Sequence, residues 1–231
     1  MIWDVDFAKR LQHGSTAFEL AVAFRSDARR LVLFGPSGAG KTQTLKVLAG
    51  LVRPDRGRIG IAGRSLYDSA RAVDLSPQSR RLAYVFQDYA LFPHLTVRQN
   101  IAFARRAGLL NPRRHLQDDQ VDRWVETFRL QSVIDHYPHQ VSGGQRQRAA
   151  LARSLVNQPT ALLLDEPFAA LDKALRHALR EDMCAVQREL GIPMLVITHD
   201  DDDVRVLADE VVHLLAGRVV DGGSGSESAR A

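Results

Sequence analysis

The residues Gly35-Pro36-Ser37-Gly38-Ala39-Gly40-Lys41-Thr42 have the types and the spacing to grip a chain of phosphates. Glycines let the backbone curl until several N–H groups point at one centre, and a helix that follows adds the positive end of its dipole there. Lys41 has the reach for the outer phosphates, and the Thr42 hydroxyl suits Mg2+. The flanks fit: Arg30-Leu31-Val32-Leu33-Phe34 is a short apolar run, and the segment Gln43 to Leu51 places leucines at 45, 48 and 51, a helical spacing. Strand, glycine loop, Lys-Thr, helix is the context a phosphate loop requires. The pattern predicts a bound nucleoside triphosphate.

Two further stretches carry chemistry. Leu162-Leu163-Leu164-Asp165-Glu166 reads as a buried strand that ends in two carboxylates, at the carboxyl edge where ligands of open α/β sheets bind. Asp165 is placed to hold a magnesium shell and Glu166 to orient or deprotonate an attacking water. By themselves they would read as a helix-capping Asp and a solvated Glu; the phosphate loop in the same chain reverses that weighting. Val141-Ser142-Gly143-Gly144-Gln145 opens a second helix, and a serine with two glycines there makes another anion site. One nucleotide needs only one such site, so the second would serve a nucleotide held mainly by another copy. In isolation it is a plain Ser-capped helix.

Elements that must position these residues follow from periodicity. Residues 1–29 hold two strands; in the second, the larger apolar side chains fall at 18, 20, 22 and 24, the period of a half-buried strand. Arg53 to Gly57 makes a turn before a strand at 58–61, and 82–86 is another β-rich run. From about 96 to 157 the pattern is helical: Thr96 caps a helix over 97–104, the segment around 118–130 is amphipathic, and a longer helix follows Ser142. Strands return at 161–165, 194–198 and 211–215, with a helix over 173–190 that presents apolar residues at 175, 179, 183, 186 and 190. Continuous apolar strands alternating with helices give a mainly parallel sheet covered on both faces. The acidic run Asp200 to Asp203 reads as a solvated helix start, and the Gly/Ser-rich residues 222–231 as disordered.

With 231 residues, 45% apolar and 25% charged, the chain is an ordinary globular protein large enough for a substantial core. A net charge of +4 without a basic stripe interleaved with aromatics does not argue for nucleic acid. One cysteine, Cys184, excludes an internal disulfide and suits a reducing compartment. No apolar run approaches the length of a membrane span, and the N-terminus carries no cleavable-signal pattern.

Taken in order over residues 30 to 200, the motifs resemble the nucleotide-binding subunit of an ABC transporter. The glycine loop, Gln87 at its strand end, the 141–145 signature, Asp165-Glu166, Ala170-Leu171-Asp172 and His199 after the 194–198 strand all match. The resemblance implies an α/β fold: a P-loop NTPase with a mainly parallel core sheet, an N-terminal antiparallel β part and an inserted helical sub-domain at about 88–157, all within an ATP-binding domain of residues 1–221. It implies ATP and Mg2+ as cofactors. Gln87 would sense the γ-phosphate, join the metal shell and couple to the transmembrane partner; Asp172 would connect two sites across a dimer; His199 would contact the γ-phosphate. The implied partners are a second ATPase subunit, membrane permease subunits that dock on 88–100 (with Ala90 and Arg98), and indirectly a solute-binding protein. The implied location is peripheral, on the cytoplasmic face of the inner membrane.

Val141 stands where leucine is usual and Gln43 where Ser or Thr is. An adenine-stacking aromatic is not evident, with Phe7, His13 and Phe18 as candidates. The run Arg80 to Ile101 is similar to the importer branch, and Ser37 to Thr42, the 62–79 loop and Tyr84-Val85-Phe86-Gln87-Asp88 are most similar to molybdate importer ATPases. Importers of sulfate, iron(III) or polyamine, a soluble ABC-type ATPase and an unrelated phosphate-loop kinase are the alternatives. The C-terminal regulatory domain common in that branch is expected to be absent.

Overall fold

The computed structural model describes residues 1–13, 16–105, 111–114, 116–169 and 173–220. Ala170, Leu171, Asp172 and the tail 222–231 therefore lie outside the described residues. The chain divides into two compact units, Met1–Arg80 with Pro193–Ala231, and Arg81–Ile192.

The first unit begins with β1 (Trp3–His13), β2 (Thr16–Ser26) and β3 (Arg30–Phe34), then α1 (Lys41–Ala49), β4 (Arg56–Ile61), β5 (Arg64–Asp68), β6 (Val73–Asp74) and α2 (Pro77–Arg80). The second unit holds β7 (Leu82–Val85), α3 (Val97–Phe103), α4 (Asp119–Thr127), α5 (Gly143–Leu155), β8 (Ala161–Asp165) and α6 (Lys173–Leu190). The chain then returns to the first with β9 (Met194–Thr198), α7 (Asp201–Leu207), β10 (Glu210–Leu215) and β11 (Arg218–Val220).

Two kinds of sheet meet in the first unit. β1 pairs antiparallel with β2 and with β4, and its register sets Phe7 opposite Val22 and Val5 opposite Ile59. The period-2 apolar residues of all three strands thus share one buried face, with Trp3, Val5, Phe7, Leu20, Val22, Ile59 and Ile61 in the core. β3 instead pairs in parallel with both β9 and β10. Leu31, Val32 and Leu33 are fully buried beside Leu195, Val196 and Ile197, as a strand covered on both faces requires. The β5–β6 pair falls in the stretch read as a loop. Leu66 and Tyr67 are buried, but they are adjacent and flanked by charges, so no alternation announces them. The three residues of β11 are too few to carry a period at all.

Arg80 ties α2 to α1. It is 1% exposed, and its guanidinium donates to the carbonyls of Val47 and Leu48 at 2.9 and 2.7 Å and to Leu75 at 3.0 Å. Those first two carbonyls belong to the last turn of α1, where helical donors run out; Val47 also accepts from the Gly50 N–H at 3.1 Å. Gly50 follows with φ 81, and a Cβ there would come within 2.6 Å of the Arg80 Nε, so glycine is needed both for the turn and for the arginine. Burial pulls the Arg80 pKa below the usual arginine value while Asp74 pushes it back up. Arg80→Met is expected to cost about 2–4 kcal/mol, because buried carbonyls lose a donor. In a domain of this size that is a fall of roughly 5–15 °C in Tm, read by thermal unfolding. A fall within 2 °C would mean that water replaces the guanidinium.

In the second unit β7 and β8 are parallel neighbours, and α3 packs on α4 and α5. Caps mark the starts of α3, α4 and α5. The Thr96 side chain accepts from Gln99 N–H while the Gln99 side chain accepts from Thr96 N–H, and Asp118 caps α4. α6 spans the residues its periodicity predicts and buries Leu179, Met183 and Val186.

Candidate nucleotide site

The phosphate loop joins β3 to α1 in the first unit. A Cβ on Gly35 would lie 2.1 Å from the Leu214 carbonyl oxygen of β10, so the loop can leave the sheet only through a glycine. Gly40, φ 99, is the N-cap of α1. A Cβ there would meet Leu20 Cδ2 at 2.6 Å and Phe18 Cε1 at 3.1 Å. Among the described residues no side chain caps α1, and its first turn has no acidic residue. The N-cap is a glycine, with no side chain to cover the helix end, and a helix start of this kind can take a phosphate oxygen. Lys41, 5% exposed, donates from Nζ to the carbonyls of Gly35 at 2.7 Å and Pro36 at 3.0 Å. Its ammonium is thus folded into the curl formed by Gly35, Pro36, Ser37, Gly38 and Ala39. Thr42, half-buried, is the next helical residue.

His199 belongs to the same edge of the same unit. Phe34 is paired with Thr198 in the β3–β9 register, so the phosphate loop and His199 leave neighbouring strands at the same level. His199 is exposed. Thr198, which precedes it, is buried; its hydroxyl donates to the Asp203 carboxylate and accepts from Asp200 N–H. Asp200 in turn caps α7. The acidic run is therefore only partly solvated. Asp203 is a buried partner of Thr198, and a contact across five residues is not visible in a list of aspartates.

In the second unit Val85 pairs with Leu164, which brings Gln87 and the Asp165-Glu166 pair to the ends of adjacent parallel strands. Asp165 is 4% exposed and accepts a hydrogen bond from the Tyr84 hydroxyl at 2.8 Å. Burial, then the Asp165 charge and this hydrogen bond, push the Tyr84 pKa well above that of an ordinary phenol, so it donates at any physiological pH. Sequence reasoning missed Tyr84: a tyrosine in a β-rich run is unremarkable until its strand is set beside another. Glu166 is half-buried and has φ 43. That left-handed backbone is costly for a residue with a Cβ, and such strain clusters at functional sites. Gln87 is exposed.

The signature residues open α5. Ser142 accepts from Gln145 N–H, and the Gln145 side chain accepts from Ser142 N–H at 2.9 Å. This capping box leaves Gly143 and Gly144 as the bare part of the helix end. Gly144 is also a packing position, since a Cβ there would touch Leu175 at 3.0 Å. After Gln87, Tyr89 and Ala90 are both left-handed, with φ 63 and 43. Their carbonyls accept from Arg153 at 2.9 and 2.7 Å, and Asn100 bonds both N–H and C=O of Phe92. The 88–100 segment is thus shaped by two polar side chains of its own unit. Arg98 is mostly inside it, its side chain 19% exposed and paired with Asp122 at 2.8 Å, while Ala90 is exposed.

Of the aromatics considered for base stacking, Phe7 is excluded: it is 2% exposed in the sheet core. Phe18 lies half-exposed against the phosphate loop at Gly40. His13 closes β1 opposite Thr16.

A glycine loop that enters an uncapped helix from a parallel sheet, with a strand-end carboxylate pair and a Ser-Gly-Gly helix start in the same chain, defines a phosphate-loop nucleotide-binding protein. The ABC transporter family model matches residues 24–169, and the chain belongs to that family as one of its ATP-hydrolysing cassettes. It is 44% identical over 206 residues to the molybdate/tungstate import ATP-binding protein WtpC of Archaeoglobus fulgidus, covering 89% of this chain and 82% of that protein. It is 42% identical over 207 residues to the molybdenum import ATP-binding protein ModC of Rhodospirillum rubrum, covering 90% of this chain but 55% of that one. Among solved structures, the dimeric ATP-binding cassette MJ0796 in a post-hydrolysis state with ADP and Pi matches with a TM-score of 0.76 and 26% identity, over 95% of this chain and 96% of that one. Among the described residues no helix is long and apolar enough to cross a membrane.

Proposed function

We propose that this chain is the ATP-hydrolysing subunit of an ABC importer that takes up molybdate or a chemically similar oxyanion. The observation that carries the activity is the uncapped start of α1 with Lys41 folded beneath it. The cargo rests on the 44% and 42% identity to proteins of molybdate import. In this reading Lys41 and the α1 N–H groups take the β- and γ-phosphates. Thr42, Asp165 and Gln87 are hard-oxygen donors of the kind Mg2+ prefers; when bound, that ion neutralises charge on the phosphates. Glu166 orients or deprotonates the attacking water, and His199 and Gln87 face the γ-phosphate. Ser142, Gly143, Gly144 and Gln145 meet the nucleotide of a second ATPase subunit, with Asp172 linking the two sites. The 88–100 segment docks a membrane permease, which places the chain peripherally on the cytoplasmic face of the inner membrane and in indirect contact with a solute-binding protein.

Deleting the gene is expected to reduce uptake of labelled molybdate at nanomolar supply, with growth on molybdoenzyme-dependent medium restored by high external molybdate. A second reading has its own support: the chain is 43% identical over 195 residues to a sulfate/thiosulfate import ATP-binding protein of Chlorella vulgaris. Normal molybdate uptake with lost sulfate uptake would reassign the cargo without touching the ATPase.

A further inference from the structure

Asp165, a buried carboxylate at a motif position, has a donor to which sequence reasoning assigned no role. Asp165 ends β8, and Tyr84 stands on the neighbouring strand β7, paired in the ladder with Leu163. Leu163 and Asp165 are two apart and project to the same side of the strand. A tyrosine side chain is long enough to span that one step, and the Tyr84 hydroxyl reaches the Asp165 Oδ2 at 2.8 Å. The Tyr84 ring is itself fixed against Phe86, with centroids 4.4 Å apart and planes at 47°. The donor is therefore held by packing rather than free to swing. Three residues after Tyr84 the same strand delivers Gln87, so one short strand governs both groups.

We infer that Tyr84 is a positioning residue that fixes the orientation of the Asp165 carboxylate toward Mg2+; this rests on the role given to Asp165 above. A carboxylate on a short side chain turns freely about its last bond. A charge-assisted hydrogen bond to one oxygen removes that freedom and directs the other. Partners of this kind, one step behind a metal ligand, commonly change metal affinity 10- to 100-fold when lost. Because the bond comes from a neutral phenol, it holds the carboxylate without cancelling the charge that attracts the cation.

The test measures ATP affinity of the full chain over a series of Mg2+ concentrations and in EDTA, for the parent, Tyr84→Phe, Asp165→Asn and the double variant. Phenylalanine keeps the ring contact with Phe86 and removes only the hydroxyl. Tyr84→Phe is expected to raise the Mg2+ concentration for half-maximal ATP binding about tenfold, leaving the EDTA affinity within twofold. In the Asp165→Asn background the same change is expected to add nothing. If Asp165→Asn shifts the Mg2+ dependence and Tyr84→Phe does not, Tyr84 is no more than a packed side chain and the inference fails. Equal loss with Mg2+ and in EDTA, together with a lowered Tm, overturns it likewise. If Asp165→Asn itself leaves the Mg2+ dependence unchanged, the role of Asp165 is wrong, and the inference falls with it.

Discussion

Glu166→Gln is expected to leave ATP binding within about threefold of the parent and to cut turnover by roughly 100- to 10,000-fold, the usual worth of a positioned acid–base group. The substitution keeps size and hydrogen bonding and removes the negative charge and the base. It also keeps the Cβ, so the left-handed backbone at φ 43 is as costly in the variant as in the parent, and a change in rate cannot be ascribed to released strain. Loss of repulsion with the γ-phosphate should let the ATP-bound dimer accumulate. Single-turnover phosphate release, ATP affinity and sedimentation with and without ATP read the three effects separately. Hydrolysis near the parental rate would remove Glu166 from the chemistry. Failure to bind ATP would give it a part in holding the nucleotide. Glu166→Gly supplies a further control: it relaxes the backbone, so stability is expected to rise slightly while turnover is lost.

What could be read from the sequence was what depends on near neighbours in the chain. The phosphate loop is eight consecutive residues, and its strand and helix are adjacent, so loop, Lys41 and Thr42 were legible together. The same holds for Thr96 with Gln99 and Ser142 with Gln145, where a cap and its partner lie three apart. The apolar run of β3 announced a strand covered on both sides because neither face of it meets water. The missed side-chain contacts at the site and in the core are mostly non-local. Tyr84 meets Asp165 across 81 residues, Arg80 meets Leu48 across 32, and Phe7 is hidden because β1 is flanked by β2 and β4. Residue type alone left Phe7 and Phe18 as equal candidates for a base; only the strand register buries one and brings the other to Gly40. Asp203 repeats the point on a smaller scale: helix geometry turns one aspartate of the acidic run inward to Thr198.

Lys41→Ala is expected to have the largest effect on binding, raising the Kd for ATP by about 30-fold or more. Lys41 is nearly inaccessible, and its Nζ already bonds the Gly35 and Pro36 carbonyls. It therefore supports the curl of the loop before any phosphate arrives, and with phosphate it supplies the charge at close range. Alanine removes both contributions while keeping the helix, for which it is the best residue. Truncating a charged partner in a site shielded from water costs about 2–5 kcal/mol, and each 1.4 kcal/mol is about tenfold in affinity, so the loss should lie between about 30-fold and a few thousand-fold. Lys41→Met separates the two contributions, because it fills the same volume without an ammonium. Equal losses in the two variants assign the effect to charge, whereas a much milder loss with methionine assigns it to packing of the loop. Equilibrium dialysis with labelled ATP gives the affinities. Thermal unfolding gives an independent reading: a ligand that binds only the folded state raises Tm with its concentration, so MgATP should stabilise the parent and leave Lys41→Ala unchanged. An alanine variant that binds ATP within threefold of the parent would make Lys41 a clamp on the loop and no ligand of the phosphates.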